Sequence, residues 1–303
     1  MMRRIYTMIT AFVLVFTMLL QVPVQAAKPG KYIWKESAAP NYVVKTGKAK
    51  VSGKPKKGKI KYSQLDSLGR TRRVVGNINY KLVKDSAGWR ETIPETEDPS
   101  GWPVQNQIIQ IRLYNGRTYK GYGMNRSHLI ADSLGGKAIR RNLITGTRMQ
   151  NVGANDGKGG MAYTERRAVN WLCKHKKGSV YYSATPVYKG KELIPRSVVV
   201  DMKTSDGRIN ERVIVYNCAK GYKVDYYSGV LTATEEEKDN GNGSDVPAET
   251  TYIVNTNTKK FHLPTCPSVN QMKDKNKKTY SNVDISTLRG YGYEPCQNCL
   301  KGK

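Results

Sequence analysis

The amino-acid sequence predicts an α+β fold with a mainly antiparallel sheet, because it combines alternating strand patterns with an amphipathic helix. Residues 107–114 alternate between apolar and polar side chains, as a half-buried strand does. Asn115-Gly116 follows, a dipeptide preferred in two-residue hairpin turns because both positions need positive φ. Residues 117–122 are then expected to return as the second strand of a hairpin.

A second hairpin and a helix are predicted further along the chain. Residues 197–202 and 208–217 are rich in β-branched side chains and flank a Thr-Ser-Asp-Gly turn. Residues 164–176 have helical periodicity, with Ala168 and Leu172 four positions apart and a cationic last turn that suits the helix dipole. The economical arrangement is an open antiparallel sheet with helices packed on it.

The chain is strongly basic, and its charge suggests a polyanionic partner. It has 303 residues, with 51 Lys and Arg against 24 Asp and Glu, which gives a formal net charge of +27. Hydrophobic residues make up 38% and mean hydropathy is −0.60, which excludes a polytopic membrane protein. Nucleic acid, an anionic cell surface and an acidic polymer all remain compatible with this charge.

The first 26 residues are typical of a secretory signal peptide. Arg3 and Arg4 precede an apolar run over residues 8–20, and Val24-Gln25-Ala26 provides a small-residue cleavage site. The alternative is a membrane anchor, but a spanning helix needs about 20 apolar residues and this run is shorter. We therefore expect residues 1–26 to be removed and the protein to be exported, without a membrane span.

Composition divides the rest of the chain into four segments. Residues 27–61 are expected to form a flexible basic arm, because their Lys- and Gly-rich part lacks periodicity. Residues 62–231 form the central domain. Residues 232–250 are acidic, contain Asn and Gly and have almost no large apolar side chains, which indicates a linker. Residues 251–303 form a small C-terminal module.

His128 is the candidate centre of any chemistry in the central domain. The chain has three histidines, and His175 is explained as a cation at the end of the predicted helix. His128 follows the first hairpin and lies in a polar stretch beside Arg126. A hydrogen-bonded structural role and a role as a base both fit these residues taken alone.

The sequence around His128 resembles the DNA/RNA non-specific endonuclease family, and secreted deoxyribonucleases of Gram-positive bacteria in particular. The resemblance covers roughly residues 60–231. It rests on two motifs at matching order and spacing, Asn125-Arg126-Ser127-His128-Leu129-Ile130-Ala131-Asp132-Ser133-Leu134-Gly135-Gly136 and Arg141-Asn142-Leu143-Ile144-Thr145-Gly146-Thr147-Arg148-Met149-Gln150-Asn151. Shorter likenesses lie at residues 62–70, 99–102 and 159–166.

This resemblance implies a ββα-metal nuclease core, with the hairpin over residues 107–122 placed just before the catalytic histidine. His128 then matches the general base that activates water, and Asn151 matches the direct protein ligand of Mg²⁺. Asn142, nine residues earlier, matches a supporting asparagine, and Glu165 matches an acidic residue that orients water at the metal. Much of the family has Asp-Arg-Gly-His, so the neutral Asn125 leaves the orientation of His128 open.

The chemistry of phosphodiester hydrolysis agrees with these assignments. It needs a base for the attacking water, charge neutralisation on the phosphoryl oxygens and help for the leaving 3′-oxygen. Imidazole suits the first task, and a Mg²⁺ ion held by few protein groups suits the others. Four arginines flank the motif: Arg126, Arg140, Arg141 and Arg148. Arg126 and Arg148 are the preferred candidates for contacting phosphate, although a solvated surface charge explains most arginines of this kind.

The C-terminal module has the residues of a separate metal site. His262, Cys266, Cys296 and Cys299 match a closed Cys3His zinc site, and the C-x2-C spacing is typical of one. A module of this size also needs a disulfide or a bound metal to stay folded, because its hydrophobic core is too small to stabilise it alone. We therefore expect a metal-stapled α/β module with structural Zn²⁺. The alternative is a disulfide plus a free thiol; zinc would leave Cys173 and Cys218 free to pair.

The module also resembles small tails on exported Gram-positive proteins, which are similar to the zinc-binding domain of DNA alkyl-transfer repair proteins. Two functions therefore compete. The first is a secreted, Mg²⁺-dependent endonuclease acting on DNA, and on RNA as a further substrate, with the module contacting DNA or cell wall. The second is a non-catalytic cell-surface protein that binds DNA or another polyanion on a nuclease scaffold. Neither the oligomeric state nor the biological role follows from the sequence.

Overall fold

The computed structural model describes residues 30–88, 92–234, 250–283 and 285–300. The expected signal peptide and residues 235–249 of the expected linker lie outside these ranges. Within the described ranges, every helix is too short or too polar to cross a membrane.

The part of the chain up to residue 234 contains twelve described strands and three described α-helices. The strands are β1 (Val43–Gly47), β2 (Lys59–Tyr62), β3 (Val74–Asn79), β4 (Ile108–Arg112), β5 (Thr118–Tyr122), β6 (Met124–His128), β7 (Leu143–Thr147), β8 (Ser179–Val187), β9 (Ser197–Thr204), β10 (Asn210–Tyr216), β11 (Tyr222–Val224) and β12 (Leu231–Ala233). The helices are α1 (Tyr80–Ser86), α2 (Arg148–Val152) and α3 (Ala162–Lys174).

A six-stranded antiparallel sheet forms the centre of the fold. Its strand order is β1-β10-β9-β8-β3-β2. The apolar stripe of α3, including Ala168 and Leu172, packs into the same core as Val180 and Val200 of the sheet. The α+β class, the predicted helix and the second predicted hairpin, β9–β10, are therefore confirmed, with ends that differ by a few residues.

The first hairpin forms, but with a different turn from the one predicted. β4 and β5 pair antiparallel as a separate two-stranded sheet. Gly116 has a φ of 82°, whereas Asn115 does not have positive φ. The Gly116 N–H donates to the Leu113 carbonyl at 3.0 Å, and the Leu113 N–H donates to the Arg117 carbonyl at 2.7 Å. The loop is therefore longer than two residues, and one left-handed glycine is enough to close it.

The prediction of a flexible arm over residues 27–61 is wrong for the segments that form β1 and β2. These strands are the two edges of the six-stranded sheet, and β1 pairs with β10. The Lys50 N–H donates to the Asp201 carboxylate at 2.7 Å, so the chain beyond β1 is also held. Edge strands need just one bonded side, and Lys is common on them, so their sequences lack a strong apolar alternation.

The C-terminal module is a four-stranded sheet with two short helices. Its strands are β13 (Thr250–Asn255), β14 (Lys260–His262), β15 (Lys277–Val283) and β16 (Glu294–Pro295), in the order β15-β13-β14-β16, and its helices are α4 (Pro267–Asn270) and α5 (Ile285–Gly290). Val254, Phe261 and Leu288 are fully buried in its small core.

The module contacts the preceding domain at the turn that follows α1. The Tyr280 hydroxyl donates to the Gly88 carbonyl at 2.9 Å, and the Lys278 ammonium donates to the same oxygen. Gly88 has a φ of 71°, and a Cβ there would lie 2.9 Å from the Tyr293 hydroxyl. Three side chains of the module therefore converge on one glycine.

The carboxylate of Glu211 links the edge strand β1 to α3, so replacing it tests how strongly this edge of the sheet is stabilised. This carboxylate on β10 is buried and accepts from Arg167 of α3 at 3.0 Å, and Lys45 of β1 lies 2.8 Å from it. Both cations are partly exposed, so we expect Glu211→Ala to lower the free energy of unfolding by about 2 kcal/mol in urea titrations. Glu36→Ala, which removes the exposed pair between Glu36 and Lys220, is the control, with a change within about 0.5 kcal/mol. Equal effects of the two substitutions would contradict this account.

Candidate active site and metal centres

The site is built on one ββα unit made of β6, β7 and α2. β6 and β7 pair antiparallel, with Ser127 opposite Ile144 and His128 opposite Leu143. α2 begins directly after β7, and its Thr147 cap accepts from the Gln150 N–H at 2.9 Å. His128 is therefore the last residue of the first strand of this unit. The hairpin β4–β5 precedes the unit and is not part of it, contrary to the sequence-based placement.

His128 is nearly buried, with 9% of its surface exposed. Its Nε2 atom lies 3.5 Å from Oδ1 of Asp132, whose side chain is also largely buried. A carboxylate beside one ring nitrogen favours a single orientation of the imidazole. Much of the family has an aspartate at the position of Asn125, three residues before the histidine. Here the carboxylate beside the ring belongs to Asp132, four residues after the histidine.

Asn151 lies on α2 against the residue that precedes His128. The Ser127 hydroxyl donates to Asn151 Oδ1 at 3.1 Å. The structure therefore brings Asn151 next to the end of β6 and fixes the direction of its amide oxygen. Ser127, where much of the family has glycine, is a site residue that the sequence reasoning missed.

Other neutral amide groups lie near Ser127, the hydrogen-bond partner of Asn151. Asn125 Oδ1 and both polar atoms of the Gln150 side chain are buried without a hydrogen-bond partner among the described residues. Both approach Gly146: Asn125 is opposite Gly146 in the strand register, and a Cβ at Gly146 would lie 2.2 Å from Gln150 Oε1. Hard cations such as Mg²⁺ prefer oxygen ligands, so this donor set fits the ion that the family resemblance implies.

Asn142 is fully buried and acts on the backbone. Its Oδ1 accepts from the Ile130 N–H at 3.0 Å, and its Nδ2 donates to the carbonyls of Ile130 and Lys137, both at 2.9 Å. The Asn142 carbonyl in turn accepts from the Leu129 N–H at 2.8 Å. Because its side-chain amide is used in this way, Asn142 holds the β6–β7 connection just after His128. This agrees with a supporting role.

Glu165 lies in the first turn of α3, the helix whose start contacts α2. The helix start is tied to α2, because the Met161 N–H donates to the Gln150 carbonyl at 2.8 Å. Next to Glu165, the Thr164 hydroxyl shares a hydrogen bond of 2.7 Å with Tyr182. Burial raises the pKa of Tyr182 well above its ordinary value, and the charge of Glu165 adds to this. The Tyr182 hydroxyl therefore stays protonated.

The two predicted phosphate-binding arginines have different surroundings. Arg126 is on the same face of β6 as His128, forms an ion pair with Asp98 and lies 4.7 Å from the ring centre of Trp102. Arg148 is only 4% exposed, with its guanidinium 4.9 Å from the ring centre of Tyr119. A guanidinium buried on an aromatic ring supports the packing around α2 and is poorly placed to contact a phosphate, so the structure does not favour that prediction for Arg148.

A cleft of about 580 Å³ opens beside Arg126. Its lining includes Glu95, Asp98, Trp102, Val104 and Arg140. The sequence reasoning noted Arg140 without preferring it and missed the others as site residues. These other residues belong to a segment, 95–104, whose sequence predicts neither a strand nor a helix. Their contact with β6 depends on the tertiary structure.

The four predicted zinc ligands meet in the C-terminal module. The ligand atoms of His262, Cys266, Cys296 and Cys299 all lie within 4.8 Å of one another. Three of the four residues are buried. The N–H groups of Leu263 and Asn298 point at the Cys299 and Cys296 sulfurs, each at 3.4 Å. Soft sulfur and imidazole donors in this compact arrangement fit Zn²⁺.

The pKa shifts of two of these residues, Cys266 and His262, also suit Zn²⁺. Burial would raise the pKa of Cys266, but hydrogen bonds from the Ser268 N–H and neighbouring thiols outweigh it, so the pKa is lowered. Burial, and then the charge of Lys260, lower the pKa of His262. Metal ligands bind as thiolate and neutral imidazole, so both shifts favour the binding form. Burial, and then hydrogen bonds with the other two thiols, raise the pKa of Cys299 to about 11, so this thiol must lose its proton on binding the metal.

The remaining cysteines and histidine are not part of either site. Cys173 and Cys218 are free thiols in the structure. Burial raises the pKa of the Cys218 thiol far above its usual range, so it is unreactive. His175 follows the last turn of α3, stacks on Trp171 with ring centres 4.5 Å apart and contacts the Trp171 carbonyl. This agrees with the structural role predicted for it.

Comparison with known proteins gives consistent relatives. A deoxyribonuclease of Streptococcus dysgalactiae subsp. equisimilis is 38% identical over 198 residues, which span 57% of this chain and 60% of that protein. A structure of Sda1 nuclease with a bound zinc ion is 38% identical, with a TM-score of 0.63 over 67% of this chain and all of the other.

A magnesium-bound structure of NucA from Streptococcus agalactiae, 19% identical, shares the fold with a TM-score of 0.50 over 64% of this chain and 88% of that chain. The family model for the DNA/RNA non-specific endonuclease matches residues 36–301, nearly the whole described chain. With the ββα unit and the positions of His128 and Asn151, this match shows that the chain belongs to the DNA/RNA non-specific endonuclease family.

Proposed function

We propose that the protein is an exported, Mg²⁺-dependent endonuclease that hydrolyses phosphodiester bonds of DNA, and of RNA as a further substrate. The observation that carries this proposal is the ββα unit, in which Ser127, adjacent to His128, bonds Asn151 Oδ1 at 3.1 Å. A base and an oxygen donor for a hard cation thus lie on two neighbouring elements of one rigid unit. The signal-like sequence of residues 1–26 supports export.

His128 is the proposed general base. Asp132, 3.5 Å from Nε2, holds the ring and stabilises the imidazolium that forms when the ring takes a proton from the attacking water. The small exposed part of the ring is enough to admit one water while the rest of the side chain is fixed by packing.

Asn151 is the proposed direct ligand of Mg²⁺, with the amide oxygens of Asn125 and Gln150 as nearby hydrogen-bond acceptors. When bound, the ion neutralises charge on the phosphate and assists departure of the 3′-oxygen. Glu165 is proposed to accept hydrogen bonds from water at this site. The zinc ion in the Sda1 nuclease structure supports a divalent cation in a relative 38% identical to this chain.

Arg126 is proposed to stabilise the phosphoryl oxygens, because it lies on the same face of β6 as His128. The basic surface of the protein supplies the long-range attraction. Residues 70–231 carry 28 cationic and 13 acidic side chains, so the domain attracts a polyphosphate regardless of its sequence.

The zinc site of the C-terminal module is proposed to be structural. His262 and three cysteines leave no open position for a substrate, and the core around Phe261 is small. Zinc binding then supplies the folding free energy that this core lacks. The module is proposed to place its cationic surface against DNA or cell wall.

The first prediction tests the base. We expect His128→Ala to lower kcat for plasmid cleavage in Mg²⁺ by about 10²–10⁴, because the attacking water loses its proton acceptor. His175→Ala is the control and is expected to cleave at the wild-type rate. Undiminished cleavage by His128→Ala would exclude this mechanism. A wild-type protein that binds DNA without cleaving it would instead support the non-catalytic polyanion-binding function.

The second prediction separates the two asparagines. Asn151→Ala is expected to lose detectable Mg²⁺ binding in calorimetry, while its free energy of unfolding changes by less than about 1 kcal/mol, because the side chain is partly exposed. Asn142→Ala removes the partner of the two buried backbone groups of Ile130 and of the part-buried Lys137 carbonyl, and is expected to cost about 3 kcal/mol in urea unfolding. Loss of Mg²⁺ binding with full stability in Asn142→Ala would reverse the two assignments.

The third prediction concerns the module. Metal analysis of the purified full chain should find about one zinc, and Cys296→Ser should retain almost none, since a closed site needs all four ligands. Cys173→Ser, outside the site, should keep the zinc. Zinc-free wild-type protein that also lacks two titratable thiols would establish the disulfide alternative.

A further inference from the structure

The cleft beside Arg126 is next to the proposed catalytic centre, and Arg126 is the one lining residue that the proposed mechanism uses. Arg126 and His128 are two residues apart on β6, so their side chains lie on one face of the strand, about 7 Å apart along it, and Arg126 lines the cleft. A part of the substrate that occupies the cleft is therefore close to the scissile phosphate. Its volume of about 580 Å³ is in the range of small-molecule sites.

The walls of the cleft are rigid. The Ser100 hydroxyl donates to the Leu193 carbonyl at 2.6 Å, and the Thr145 hydroxyl of β7 donates to the Ser100 carbonyl at 2.9 Å. Gly101 has a φ of 70°, and a Cβ there would lie 2.5 Å from Ile194, so glycine is required at this close approach. These contacts fix the backbone directly before Trp102.

The charge of the cleft argues against a phosphate as its occupant. The guanidinium groups of Arg126 and Arg140 are matched by the carboxylates of Glu95 and Asp98. Each carboxylate repels a phosphate about as strongly as each guanidinium attracts it, so the cleft has no cationic excess. Phosphate sites in nucleic-acid-binding proteins depend on such an excess.

The same groups suit a neutral aromatic ring with hydrogen-bonding edges. The guanidinium of Arg126 lies over the Trp102 ring, 4.7 Å from its centre, and the fully exposed Val104 adds an apolar rim. Arg140 also lines the cleft. The cleft therefore combines a guanidinium held on an indole, carboxylate acceptors and a second guanidinium.

We propose that this cleft binds one unstacked nucleobase next to the scissile phosphate, with guanine the best match. Guanine offers two adjacent donors, N1–H and N2–H, to the carboxylates, and two acceptors, O6 and N7, to a guanidinium. No other standard base presents two adjacent donors. The base stacks on the Arg126 guanidinium, which lies over the Trp102 ring, as bases do on arginine planes and aromatic side chains in proteins that bind single strands. This inference rests on the proposed nuclease function.

The binding test uses the full chain carrying His128→Ala, so that the probe stays intact in Mg²⁺. The probes are a short fluorescein-labelled oligothymidylate and the same strand with one central guanine. We expect the guanine strand to bind more tightly in anisotropy titrations. Trp102→Ala should weaken its binding roughly tenfold and remove the difference between the strands, while Trp102→Phe keeps most of both. Tyr122→Ala, an exposed aromatic outside the cleft, should change neither.

Two results would overturn the proposal. Equal binding of both strands by the Trp102→Ala and parent proteins would show that no base stacks there. An Arg140→Gln protein that weakens both strands equally, with a salt slope lower by about 1, would show that the cleft holds a phosphate. If Trp102→Ala is unfolded by circular dichroism, Trp102→Phe and Glu95→Gln decide, since Glu95 is exposed and its loss should remove the guanine preference.

Cleavage mapping separates this proposal from the nuclease function. Wild-type cuts in single-stranded DNA should cluster at one fixed offset from guanine, and Glu95→Gln should flatten that distribution. If the wild-type protein cuts at evenly spread positions and His128→Ala does not cut, the nuclease function stands and the base subsite is excluded. Cuts that persist in His128→Ala would instead exclude the proposed mechanism.

Discussion

The buried amide of Asn142 is the constraint on which the site depends. It bonds both backbone groups of Ile130 and the carbonyl of Lys137, and so closes the connection between β6 and β7. His128 precedes that connection and Asp132 lies within it, so their separation of 3.5 Å is set by this closure. Gly136 takes part because a Cβ there would lie 1.8 Å from the Ile130 carbonyl oxygen. An interior amide that makes three hydrogen bonds to the backbone is costly to disturb, which makes the connection rigid without regular secondary structure.

The net charge of +27 and the local chemistry of the site act at different distances. Around Asn151 the donors are neutral amides and a hydroxyl, and in the cleft beside Arg126 two carboxylates balance two guanidinium groups. The cationic excess is thus spread over the surface instead of being concentrated where the chemistry occurs. Long-range attraction gathers a polyanion from solution, while a nearly neutral site lets one divalent ion and a few hydrogen bonds determine how the substrate is held.

The sequence predicted what local patterns encode. His128, Asn142 and Asn151 were found because the family motif keeps them at fixed spacing, and α3 because its periodicity is strong. The strand β1 was missed, because an edge strand rich in Lys has little apolar alternation. Arg148 and Arg140 both flank the motif, and Arg148 was preferred. The two arginines differ in burial, which the sequence does not show. Asp98 and Trp102 were missed as site residues because their partner, Arg126, is more than twenty positions away along the chain.

The two metal centres follow opposite chemistry, and the fold keeps them apart. Hard oxygen donors on the ββα unit suit Mg²⁺, whereas three sulfurs and one imidazole in the module suit Zn²⁺, so neither ion is well matched to the other site. The module nevertheless touches the nuclease part at Gly88, directly after α1, and α1 packs on the turn at Gly135, where a Cβ would lie 3.0 Å from Leu82. Burial lowers the pKa of Lys278 in β15, and the charge of Asp132 opposes that shift, so the module's cation and the carboxylate beside His128 are within electrostatic reach. The module that carries the proposed zinc site thus places a cation near Asp132, the carboxylate beside the proposed base His128.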